Sequence, residues 1–141
     1  MMFDGIITLF NYRDSDGTWA TSLFQNVDVI ELEGSVATKQ GAGNDDNVEI
    51  ILDVDQSQQV AGKQYVKPKQ YQALDDVSGH FTFTPEVDFI VVGDYTSDNP
   101  IIDDDYDEGL YHAMNHEHDG VYMITSATWF SLLPHFEITG R

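Results

Sequence analysis

Three histidines crowd one stretch of this chain, His112, His116 and His118, with Glu117 and Asp119 beside them. On a helix, the i,i+4 pair His112 and His116 shares one face, a spacing suited to zinc. The match to a zinc-peptidase helix ends at the next residue, where Ala113 stands in place of the required Glu base. His112, His116 and His118 are thus metal-ligand candidates for a metal-dependent enzyme. The plainer reading is polar surface near the end of a short helix.

A second cluster, Asp103, Asp104, Asp105, Asp107 and Glu108, could offer oxygen ligands to a hard cation such as calcium. The EF-hand loop needs Gly at its sixth position and Glu at its twelfth; counted from Asp103, those positions hold Glu108 and Met114. A solvated acidic loop, free to meet another protein, accounts for it more simply. Ser126 and Ser131 lie in an apolar stretch without a nucleophile elbow, and no phosphate-binding glycine loop occurs. No reaction is specified, and the chain reads as a non-enzyme with no cofactor. Lys63, Lys67 and Lys69 are its only concentration of positive charge, suited to acidic surface on another copy or another protein.

The scaffold holding these groups is mainly β. Ile6–Tyr12 and the chain from Thr18 onward flank an Asp16-Gly17 step, the signature of a hairpin. Val27–Glu33 alternates apolar and acidic residues, with an expected bulge at the paired apolar step near Ile30. Further strands are predicted over Val48–Val54, Gly62–Val66, His80–Thr84, Val87–Gly93, Val121–Phe130 and His135–Thr139. Pro68 opens one or two helical turns, and Leu110, Tyr111 and Met114 give the best helical spacing, over residues 107–115. Residues 34–47 and 96–107 read as long loops. The whole, residues 1–141, is expected to be a single small β-barrel or sandwich with one short helix.

Composition narrows the function. The 141 residues carry 6 basic and 25 acidic side chains, a net charge of −19, and no cysteine. The acidity is uneven: net −6 up to Lys69 and −13 from Gln70 onward. Nucleic-acid binding needs Lys and Arg to displace counterions, so specific DNA binding is not expected. No apolar run is long enough for a membrane span, and no secretory leader opens the chain. A protein made and used in the cytoplasm, or packed from there into a particle, is the expectation.

Three segments form a familiar set: Met2–Asn11 (MFDGIITLFN), Gly62–Pro68 (GKQYVKP) with Tyr71, and Ile124–Ala127 (ITSA) with Pro134–Gly140 (PHFEITG). They resemble small structural proteins of tailed bacteriophages and prophages. The order of features is similar to that of head-closure, or stopper, proteins, which are small barrels with extended loops at the head–tail joint. The resemblance implies a virion subunit assembled in the bacterial cytoplasm. It would form a homo-oligomeric neck ring against portal or adaptor and tail-terminator or tail-tube proteins. DNA would pass through without specific binding, and carboxylates lining the channel would repel its phosphates. A tail terminator and a minor capsid or decoration protein are the other structural readings.

Overall fold

The protein is described from a computed structural model covering residues 5–32, 35–38, 41–44, 47–53, 59–60 and 62–141. Strands β1 (Gly5–Arg13) and β2 (Thr18–Leu32) form the expected antiparallel hairpin. Gly17 takes φ +68°, a conformation costly for any residue with a Cβ, and its N–H donates to the Arg13 carbonyl at 2.9 Å. Asp16 Oδ1 accepts from the Thr18 hydroxyl at 2.7 Å and closes the turn. The chain that sequence alone splits into two strands is one strand of 15 residues. Its bulge falls at Asn26, not near Ile30: Asn26 adopts φ +59°, and the pairing with β1 shifts between Gly5 and Ile6. Asn tolerates that left-handed conformation and Ile does not.

Past the bulge, Asp28–Leu32 leaves β1 and pairs with β5 (Asn47–Leu52). Strand β11 (Val121–Phe130) makes the same move, pairing with β9 (Phe89–Val92) over Val121–Met123 and with β12 (His135–Gly140) from Ile124 on. With two strands shared between walls, the order β1-β9-β11-β12-β5-β2 closes back on β1, and a six-stranded antiparallel barrel results. Bulges of this kind supply the local bend that closure demands. Short β10 (Ile101–Ile102) extends the wall beside β2.

Alternation puts Ile7, Leu9, Phe24, Ile50, Ile90, Ile124, Phe136 and Ile138 inside the barrel, each at most 2% exposed. Phe81 and Phe83 complete this core from outside the barrel strands; Phe81 packs edge-on to Phe24 at 5.0 Å and Phe83 to Phe136 at 5.3 Å. Phe81 belongs to a satellite layer of β6 (Gln59–Val60), β7 (Lys63–Tyr65), α1 (Pro68–Gln72) and β8 (His80–Phe81), in which β7 and β8 run parallel, and Phe83 follows just after β8. A second core lies on the outer wall, where Phe10, Trp19, Phe89 and Val121 are covered by α2 (Leu110–Glu117) through Leu110, Tyr111 and Met114.

Three local expectations are corrected. The helix expected at 107–115 begins at Leu110, because Glu108 (φ +61°) and Gly109 (φ +94°) both hold left-handed backbone. The long loop 34–47 contains two paired strands, β3 (Ser35–Thr38) and β4 (Gly41–Asn44). The loop 96–107 contains β10 and a 3-10 turn at Asp103–Asp105. Residues 33, 34, 39, 40, 45, 46 and Val54 lie outside the described residues. No helix among the described residues is long and apolar enough to cross a membrane.

Candidate interaction surface

The histidine cluster divides in two. His112 and His116 share one face of α2 with parallel rings 6.4 Å apart, as their spacing predicts. His112 Nε2 meets Glu108 at 2.9 Å, with both side chains more than half exposed. His118 ends the helix in an extended conformation and lays its ring against Tyr95 at 5.0 Å. Among the described residues, no group of three or more His, Cys, Asp or Glu side chains converges on a point that could hold a metal ion.

The acidic run also separates. Asp103 is a framework residue: its Oδ1 accepts from Trp19 Nε1 at 2.8 Å and from the Leu110 N–H at 2.9 Å. It therefore ties the start of α2 to the barrel wall. Gly109 makes room for this carboxylate, since a Cβ there would lie 3.1 Å from Asp103 Oδ1. Asp104, Asp105, Asp107 and Glu108 remain exposed and form an acidic edge.

The lysines sort by burial. Lys63 points inward, with Nζ donating to the Thr21 carbonyl at 2.7 Å and the Ser22 hydroxyl at 2.9 Å. Burial pushes its ammonium pKa below the usual value. Lys67 and Lys69 are exposed and make no ion pair with a described residue. Lys69 lines an open groove of about 530 Å³ together with Tyr12, Asp14, Pro68, Gln72, Thr84 and Val87, and Lys67 precedes Pro68 in the chain.

Two features escape the motif search. The first is the β11–β12 hairpin, which ends in Leu132 at 93% exposure and Leu133 at 76%. Just below them, Phe130 stacks on His135 at 4.8 Å, while Trp129 packs on Phe136 at 5.0 Å and anchors the base. A signal was present: Gly120 to Phe136 holds no Asp, Glu, Lys or Arg in a chain with 25 acids, and paired leucines stand before Pro134. The hairpin tip is an apolar arm on an acidic body.

The second is the carboxylate of Asp88, 1% exposed. It accepts from Asn11 Nδ2 at 2.8 Å, the Tyr12 N–H at 2.9 Å and the Thr84 N–H at 3.0 Å. Burial raises its pKa to about 6, against the opposing pull of those hydrogen bonds. At 1% exposure it is closed to any ligand and instead pins β1 to the 82–88 segment.

No curated protein and no solved structure is significantly similar to the chain. A family of unknown function matches residues 2–141, and the chain belongs to that family, DUF6751.

Proposed function

We propose that this chain is a structural subunit of a tailed-bacteriophage virion, assembling as a homo-oligomeric ring at the head–tail neck around the path of DNA. One observation carries the reading: an apolar arm tipped by Leu132 and Leu133 extends from a closed barrel in a chain of net charge −19. Leucines held out in water are costly to an isolated chain and useful to one that is covered by a neighbour. The acidic body suits a conduit for DNA, because exposed carboxylates such as Asp104, Asp105 and Asp107 repel phosphate. A closed barrel suits a ring subunit, since few free strand edges remain for uncontrolled pairing.

The test is location and copy number in purified particles of a phage or induced prophage that encodes the chain. Cryo-EM density for this barrel in one neck ring, with a single ring's worth of copies by quantitative mass spectrometry, is the expected result. Hundreds of copies spread over the capsid, or none in the particle, would overturn it.

A further inference from the structure

We propose that the β11–β12 arm of one copy docks in the lysine-flanked groove of a second copy, so that the chain carries both halves of its own assembly contact. This deepens the ring reading by naming its interface, and it rests on that reading only for the setting.

The two halves match in chemistry. The arm presents Leu132 and Leu133, the two most exposed large apolar side chains among the described residues. The groove is walled by Tyr12, Pro68 and Val87, and Val87 is itself 38% exposed, so apolar surface is open on both sides. Its volume of about 530 Å³ admits two leucine side chains of the partner.

Charge selects the pairing. Two bodies of net −19 repel, so contact is least costly where negative charge is thinnest or locally opposed. The arm satisfies the first condition, having no Asp, Glu, Lys or Arg from Gly120 to Phe136. The groove satisfies the second, with Lys69 on its rim and Lys67 just before Pro68, both exposed and without an ion pair to a described residue. Glu137 stands at the arm's base, bound to His135 at 2.9 Å, and this bond first, then the Leu133 carbonyl, raises the His135 pKa above its usual value. Seating the leucines would thus bring Glu137 toward the lysine side of the groove, away from its acids, Asp14 in the lining and exposed Glu86 just before Val87. An arm and a groove are different patches, so the contact is of the head-to-tail kind that generates rings when the rotation closes.

The absence of cysteine makes a clean experiment possible. Leu133→Cys and Val87→Cys are made in separate full-length chains, one carrying a mass tag, then mixed and mildly oxidised. The mixed disulfide is expected to form at least ten times faster than either homodisulfide, and Lys67→Glu with Lys69→Glu should slow it several-fold. Sedimentation of the unsubstituted chain should show self-association that Leu132→Asp weakens at least tenfold, with circular dichroism unchanged.

Equal rates for mixed and homodisulfides overturn the interface, as does a chain that stays monomeric up to its solubility limit. Self-association without the mixed disulfide overturns this contact and leaves the ring reading standing. The mixed disulfide in a chain missing from virions supports the contact and removes the neck assignment.

Discussion

Asn11 and Asp88, separated by 77 positions, meet in the interior with Asn11 Nδ2 donating to the Asp88 carboxylate at 2.8 Å. The same amide nitrogen donates to the Thr82 carbonyl at 2.6 Å, so one side chain joins β1 to both ends of the 82–88 segment. Asn11→Ala removes both bonds, together with the 3.4 Å bond that the Thr82 N–H donates to Asn11 Oδ1, and leaves a buried carboxylate short of a donor. The expected cost is about 2–3 kcal/mol at pH 7, read as a shift in urea midpoint with an unchanged slope.

Asp88 also sets a pH dependence. Its pKa in the fold is raised from the usual 3.8 to about 6, so the folded state holds this proton more tightly than the unfolded chain does. The stability it contributes is fully present below about pH 4 and is lost as pH rises through 6, by on the order of 2–3 kcal/mol. Asp88→Asn should flatten the slope of stability against pH between 4 and 7. It should also be less stable than the parent at pH 4, because its amide NH₂ would face the Asn11 NH₂. An unchanged slope in urea titrations across that range would count against the assignment.

Asp103 is expected to behave as a strut. Asp103→Ala strips the acceptor from both Trp19 Nε1 and the Leu110 N–H, at a cost of about 1–2 kcal/mol. In a Trp129→Phe background, where Trp19 alone emits, the fluorescence maximum should move to the red as the wall beneath α2 loosens. Asp104→Ala, one residue on and exposed, should do neither.

The arm should separate folding from association. Leu132→Ser and Leu133→Ser remove side chains that are 93% and 76% exposed, so thermal stability at micromolar concentration should change by no more than about 0.5 kcal/mol. Phe136→Ala, four residues beyond Leu132 and 2% exposed, should cost about 3–5 kcal/mol. Comparable losses at both sites in scanning calorimetry would mean that the arm belongs to the folding core.

Tyr71 is fully buried, and its hydroxyl has no hydrogen-bond partner among the described residues. Burial first, and then the charge of Asp88, push the phenol pKa up. Tyr71→Phe keeps the ring packing and removes a desolvated oxygen, so stability should hold or rise by up to about 1 kcal/mol. A loss greater than that in chemical denaturation would show that the hydroxyl is bonded.

Much of the local structure was legible because its causes are local. Asp16-Gly17 names its turn through the left-handed glycine, and Val48–Leu52 shows its buried face by alternation. The helix start was misread by three residues because Glu108 adopts a left-handed conformation that its residue type does not announce. The bulge went to Asn26 for the converse reason: apolar pairing at Ile30 suggested one, but conformational tolerance and the register against β1 decided it. For the candidate site the division is sharper. Asp103 and Lys63 were grouped with their neighbours as available charge, yet Trp19 and Leu110 occupy the first, and Thr21 and Ser22 the second.

By itself, then, the sequence determined that this chain is acidic and strand-rich with a helix near Leu110–Met114, because hydrophobic period, turn chemistry and net charge are sums over neighbouring residues. Tertiary structure alone decided that β2 and β11 each bend between two partners to close a barrel. It also decided that Asp88 is buried, that Lys67 and Lys69 are exposed with Lys69 lining a groove, and that Leu132 and Leu133 end an arm in water. Exposure depends on which distant strand lies alongside, and no local pattern of residue types encodes that choice.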